Sequence, residues 1–259
     1  MRIHHVNMGL LHAPPGPRAA CHGLVLAHAG RLALVDTGIG LADVARPLER
    51  VGREAIEAAG FQFHAGTTAI RRVEQLGHAA SDVQAVVLTH GDPDHVGGLA
   101  DFPWASVHVG SEEHAALGSA DPRYRPPQFA HGPRWVVHGP SSERWFGLEA
   151  RRVELFDGVD TFLVPLFGHT LGHCGVAVLD GERWLLHVGD AYYLRVELSH
   201  DEHPVRALSA ARAADDAARR ASLEHLRRLQ RDHADAVDLV GYHDFGEFPA
   251  GALGADAGP

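Results

Sequence analysis

The sequence predicts an α/β layered domain whose functional loops sit at strand ends. Apolar, β-branched runs fall in two blocks, "GRLALV" and "VQAVVL" early, "TFLVPL", "CGVAVLD" and "RWLLHV" late, with helical stretches between them. A polar residue punctuates each successive run: Asp36, the His90–His95 group, His169, Asp190 and His243. A length of 259 residues is enough for one large α/β domain, and 45% apolar with 22% charged residues is ordinary for a globular chain.

In order, residues 30–40 read as a strand ending in the tight loop Asp-Thr-Gly. Residues 42–78 read as a helical insertion. Within it, "TTAIRRVEQLG" has Thr67 as N-cap, Ile70, Val73 and Leu76 on one face, and Gly77 as a stop. "SDVQAVVLTH" is a buried strand, "PDHVGGLADF" a short helix, "ASVHVG" a strand, and "SEEHAALG" a helix capped by Ser111. Residues 119–148 are rich in Pro, Gly, Arg and aromatics, without periodicity. They are expected to form an ordered loop or flap, with a covering role and a substrate-facing role both open. "TFLVPLFG" leads into "HTLGH", and Asp180-Gly181 joins two strands as a hairpin. Residues 207–232 are helical, "AVDLVGYHD" is the last strand, and 249–259 is expected to be a flexible tail. A single domain over 1–259 is expected.

Composition excludes several functions. The net charge is −10, and all 23 basic residues are arginine. That balance argues against a nucleic-acid surface. The arginine-rich run 218–233 reads as a helix with its cations in water. Two cysteines, Cys21 and Cys174, make no disulfide framework. No signal peptide and no apolar run of about 20 residues is evident. A cytoplasmic protein with no membrane partner is expected. There are 21 histidines. Most are incidental, and only those clustered at strand ends point to chemistry.

The most informative stretch is "LTHGDPDHVGG", residues 88–98. Two histidines and two aspartates within six positions suit zinc, iron or manganese. With "LVDTG" (34–38), "GHTLGH" (168–173), "GD" (189–190) and "HD" (243–244) in this order, the chain resembles the metallo-β-lactamase-fold hydrolases. The resemblance covers roughly residues 20–245. It implies an αββα sandwich of two mixed β-sheets flanked by helices, with metals in a cleft along one edge. It implies His90 and His169 as ligands of a first metal, Asp94, His95 and His243 as ligands of a second, and Asp190 as the carboxylate bridging both. Asp36 matches a residue that orients the ligand loop, and His173 is expected beside the ligands rather than among them. Gly97 and Gly98 are expected to let the following helix pack close, and Gly168 and Gly172 to let a tight loop aim His169.

One position departs from the family's His-x-His-x-Asp-His loop: the second histidine is Asp92. Its oxygen lies as far past Cγ as a histidine Nδ1 would, so direct ligation is expected. Two divalent ions are implied, zinc first, with manganese or iron admitted by the extra carboxylate. The implied enzyme is a dinuclear metal-dependent hydrolase, lactonase- or esterase-like. It would use a metal-bound hydroxide on a small ester or lactone, with Asp94, Asp190 and Tyr193 carrying catalysis. Cys174 reads as a small buried residue rather than a nucleophile. The aromatics of 119–148 are expected to wall the pocket. A small-molecule substrate is expected, with monomer and homodimer both open. Two alternatives stand beside this reading: a non-haem iron oxygen or sulfur redox enzyme on the same fold, and a non-catalytic metal-binding member.

Overall fold

Side-chain alternation along the strands decides how the chain layers, and the computed structural model describes residues 1–255. In chain order the strands are β1 (Arg2–Leu11), β2 (Ala19–His28), β3 (Arg31–Val35), β4 (Phe61–Gln62), β5 (Val83–Val87), β6 (Ser106–Gly110) and β7 (Arg134–His138). These seven form one sheet in the order β4-β1-β2-β3-β5-β6-β7. A small hairpin follows, β8 (Arg144–Trp145) with β9 (Leu148–Glu149). The second sheet holds β10 (Arg151–Arg152), β11 (Thr161–Pro165), β12 (Cys174–Asp180), β13 (Arg183–His187) and β14 (Val237–Val240), in that order. Both sheets are mixed: β3, β5, β6 and β7 run parallel, as do β13 and β14, and the other pairs are antiparallel.

Ala33, Val35 and Val87 of the first sheet meet Leu163, Cys174, Val176 and Val178 of the second in a core between the sheets. The alternate residues turn outward. Leu32, Leu34 and Val86 pack with Ala69 and Val73 of the helix Ala69–Gln75. On the other side Phe162, Val164 and Leu186 pack with Leu223, Leu226 and Leu229 of the helix Asp216–Asp232. A period of two thus yields the expected αββα sandwich. Each buried leucine of that last helix contributes roughly 1.5–3 kcal/mol.

Several local expectations need correction. The two opening strands, β1 and β2, carry histidines at 4, 5 and 22 that mask their apolar pattern, and the sequence reading passes over them. Residues 42–78 hold four α-helices, Leu41–Ala45, Pro47–Arg50, Arg53–Ala59 and Ala69–Gln75, but β4 and the 3-10 turn Ala65–Thr67 lie among them. The helix start there is Thr68 rather than Thr67, and its hydroxyl donates back to the Ala65 carbonyl instead of capping. Gly110, not Ser111, is the N-cap of Ser111–Leu117. The segment 119–148 is no flap: it contains the helix Pro126–Phe129, the edge strand β7 and the β8–β9 hairpin. The stretch 207–232 breaks into helices Val205–Arg212 and Asp216–Asp232, where the Asp215 carboxylate accepts from the Ala218 N–H at 3.0 Å. Arg219 within that run is buried rather than wet, and bonds Asp216. The described part of the tail is docked rather than loose: the Asn7 N–H donates to the Leu253 carbonyl at 2.9 Å. Residues 256–259 of that expected tail lie outside the described residues. No helix among the described residues is long and apolar enough to cross a membrane.

Candidate metal centre

A strand buried on both faces must release its chain at the sheet edge, and the candidate residues come from five such exits. Asp36 follows β3, and His90, Asp92, Asp94 and His95 follow β5, both in the first sheet. His169, Asp190 and His243 follow β11, β13 and β14 of the second. Backbone bonds clip the two edges together here: Cys174 N–H to the Thr89 carbonyl at 2.9 Å, and Ala20 N–H to the His243 carbonyl at 3.0 Å.

Asp92 is the N-cap of the short helix Pro93–Val96, with Pro93 at its first position. An N-cap aspartate ordinarily accepts from the next turn's N–H groups. The Asp92 side chain makes no such bond and instead lies with Oδ2 3.0 Å from His169 Nε2 and 3.5 Å from His90 Nε2. One turn of helix places Asp94 and His95 beside His243, whose Nε2 is 3.8 Å from Asp94 Oδ2. Two groups result, His90/Asp92/His169 and Asp94/His95/His243, each with donor atoms within 4.8 Å of one another. Asp190 lies between them. Its Oδ2 is 3.4 Å from His169 Nε2 and 3.2 Å from His243 Nε2, and its Oδ1 is 3.4 Å from His95 Nε2.

These residues fit divalent cations. Nε2 of His90, Nε2 of His95 and Oδ1 of Asp190 are buried and accept or donate no hydrogen bond within the protein. Buried polar atoms are otherwise almost always paired. Burial alone would lower the basicity of His95, but the carboxylates of Asp190, Asp94 and Asp36 outweigh it and hold that imidazole well above the ordinary histidine range. Such a negative potential attracts a cation as readily as a proton.

The surrounding residues aim the donors. Asp36 is fully buried in a left-handed conformation, φ +56°, which aspartate tolerates better than most residues. Its Oδ1 accepts from the Thr89 N–H at 2.8 Å, and its Oδ2 accepts from the Thr89 hydroxyl and pairs with His95 Nδ1, both at 2.8 Å. His173 lies beside the donors: Nδ1 donates to the Leu166 carbonyl, and Nε2 accepts from the Asp190 N–H, both at 3.0 Å. Two of the glycines lie against neighbouring backbone. A Cβ at Gly172 would stand 2.0 Å from Glu113 N, and one at Gly98 would stand 2.6 Å from the Thr37 carbonyl oxygen.

Three positioning residues escape the sequence reading. Glu113, fully buried, accepts from the Gly91 N–H at 2.8 Å and the Thr170 hydroxyl at 2.6 Å, tying the loops of His90 and His169 together. Tyr242 stacks on His95 at 3.8 Å and donates to the Asp94 carbonyl at 2.6 Å. Arg123 reaches Asp92 Oδ1 with Nε at 3.1 Å. Only "GYHD" offered a signal, since Tyr242 adjoins a strand-end histidine; the other two lie in helix and loop with no pattern of their own.

A cleft of about 290 Å³ opens on the site. Leu11, Ala55, Ala59, Phe61, Val205 and Leu208 form much of its wall. The aromatic wall expected from 119–148 is absent from it. Trp145 packs in the second sheet's outer core, Tyr124 donates to Glu113, and only Pro122 and Arg123 of that segment reach the cleft. Tyr193 does line it, with its ring 5.8 Å from His169 and 5.2 Å from His243. Cys174 is fully buried between the sheets, and burial pushes its thiol up, away from nucleophilic character.

Known proteins resemble this chain in sequence and in fold. The model of the metallo-beta-lactamase superfamily matches residues 17–237. Probable metallo-hydrolases of Mycobacterium bovis and Mycobacterium tuberculosis are each 45% identical over 202 residues, 75% of this chain. The match spans 64% of the length of these relatives. An N-acyl homoserine lactone hydrolase with N-hexanoyl-L-homoserine at its catalytic metal centre superposes with a TM-score of 0.70 at 17% identity, covering 93% of this chain and 92% of the other. AidC, a dizinc quorum-quenching lactonase, gives a TM-score of 0.60 at 17% identity, covering 92% of this chain and 75% of its own.

Proposed function

Since the chain belongs to the metallo-beta-lactamase superfamily, we propose that it is a metallo-hydrolase, as its relatives are named, and that it cleaves a small ester or lactone with two divalent cations, zinc first among them. The observation that carries this reading is the placing of Asp190 between two His/Asp groups at the mouth of an apolar cleft. His90, Asp92 and His169 would hold one cation, Asp94, His95 and His243 the other, and Asp190 both. Cations held there supply Lewis acidity and a water acidic enough to serve as nucleophile near neutral pH.

The chain's own groups do the rest. Asp92, Asp94 and Asp190 face the cleft, and a proton released during hydrolysis passes to Asp94 or Asp190. Burial raises the Tyr193 hydroxyl well above its ordinary range, so it stays protonated and able to donate to a developing oxyanion. Its backbone is held by Glu197, whose carboxylate accepts from the Tyr193 N–H at 2.8 Å. The apolar wall of Leu11, Phe61, Val205 and Leu208 suits an acyl chain and excludes water. The structural neighbours that act on N-acyl homoserine lactones support including those compounds among the substrates tested.

Elemental analysis of untagged protein, followed by an ester and lactone panel, tests the reading. About two zinc or manganese ions per chain, and hydrolysis that a chelator abolishes, are expected. Iron with oxygen consumption and no hydrolysis would replace it with the redox alternative. Tyr193→Phe is expected to lower kcat about 10²-fold with KM little changed, the signature of a lost oxyanion donor. An unchanged kcat would leave Tyr193 as a packing residue.

A further inference from the structure

The carboxylate of Asp92 is divided between two neighbours. Oδ2 faces the imidazoles, 3.0 Å from His169 Nε2 and 3.5 Å from His90 Nε2. Oδ1 faces the other way, 3.1 Å from Arg123 Nε, an ion pair in contact rather than an aligned hydrogen bond. The guanidinium is fixed independently of Asp92. Its Nη1 donates to the His169 carbonyl at 2.5 Å, and its Nη2 donates to the Arg212 carbonyl at 2.7 Å. Both partners are largely withdrawn from water, with 18% of the arginine side chain and 15% of the aspartate side chain exposed. Their charges are therefore only partly screened.

We propose that Arg123 is a positioning and charge-compensating residue for the first cation: Asp92 ligates through Oδ2, while Arg123 on Oδ1 cancels the negative unit that the aspartate brings. The proposal rests on the two-cation reading above. An imidazole at position 92 would add no charge. A carboxylate adds one, and the arginine returns the balance, since Arg123 cannot lose its proton at any working pH. The pairing also keeps Asp92 monodentate, because its second oxygen is already claimed. A carboxylate whose other oxygen is paired with a guanidinium gives less electron density to a metal, so the cation keeps more of its acidity than beside a free carboxylate. The two carbonyls hold the arginine against the cation's repulsion, which explains why all three nitrogen positions are engaged.

The test measures zinc affinity by chelator competition and metal content by elemental analysis, on wild type, Arg123→Lys, Arg123→Gln, Asp92→His and Asp92→His/Arg123→Gln. Wild type is expected to bind two equivalents, and Arg123→Lys to stay within about threefold of its affinity, because the charge remains. Arg123→Gln is expected to bind the first zinc about tenfold more tightly, through the uncompensated carboxylate. Asp92→His leaves the arginine facing the cation alone and is expected to bind about tenfold more weakly. The double variant is expected to return to within about threefold of wild type. A purely structural clip would give the opposite sign: Arg123→Gln would weaken binding in both backgrounds, and this would overturn the proposal, as would no change. Should Arg123→Gln not fold, Asp92→His carries the test alone. Imidazole is a good zinc ligand, so binding as tight as wild type would overturn the compensation. Wild type that binds no cation would overturn this proposal and the two-cation reading together, whereas two bound equivalents with the wrong sign would overturn this proposal alone.

Discussion

Asp190→Asn is expected to reduce turnover of any substrate found for this protein by about 10³-fold or more while leaving the fold intact. The substituted amide has the shape of the carboxylate but not its charge. One of its two terminal atoms becomes a donor, which cannot ligate a cation. Among the described residues Asp190 is the one carboxylate within reach of both groups, 3.4 Å from His169 and from His95 and 3.2 Å from His243. Its loss therefore removes the charge that both cations would share. Its backbone N–H still donates to His173 Nε2, so the turn after β13 keeps its anchor. The measurement is kcat with metal content, alongside the thermal midpoint of the metal-free protein, which should move by less than about 3 °C, a shift of about 1 kcal/mol or less. Turnover within threefold of wild type would sink the two-cation mechanism.

The largest loss of stability is expected at Asp36. Asp36→Ala removes three contacts at once, from the Thr89 N–H, the Thr89 hydroxyl and His95 Nδ1, all at 2.8 Å. The Thr89 N–H is left buried without a partner, and alanine must occupy a left-handed backbone, φ +56°. Breaking such a buried charged network costs about 3–5 kcal/mol. For a chain of this size that lowers the thermal midpoint by about 6–20 °C. Asp36→Asn separates stability from metal binding. Its amide oxygen still accepts from Thr89, but its NH2 faces His95 Nδ1 and donates to it. The imidazole proton then moves to Nε2, the atom that would hold a cation. The expected result is a folded protein retaining about one metal equivalent instead of two, read by elemental analysis. Retention of both ions by a folded Asp36→Asn would show that the His95 tautomer is not set by Asp36.

The candidate site was legible because its residues sit at positions a strand pattern exposes. A chain leaving β5 or β13 must surface at the sheet edge, so His90 and Asp190 are marked by the runs before them. All seven candidate donors, with Asp36 and His173 around them, meet in space. The segment 119–148 was misread for a related reason. Pro and Gly hid the short strand β7, and the aromatics that looked like a pocket wall are packed elsewhere: Trp145 in a core and Tyr124 against Glu113.

The sequence by itself determined a layered α/β chain with polar residues at the strand ends, which follows from alternation, a local property with a period of two residues. The αββα layering, and the meeting of those residues at one edge, came from the resemblance to the metallo-β-lactamase fold. Only the tertiary structure decided that Glu113 ties two loops, that Tyr242 stacks on His95, that Arg123 meets Asp92, and that Leu11, Phe61, Val205 and Leu208 wall the cleft. The physical reason is that a buried charge takes its partner from whatever the packed chain brings within about 3 Å, and that partner leaves no periodic trace in the sequence.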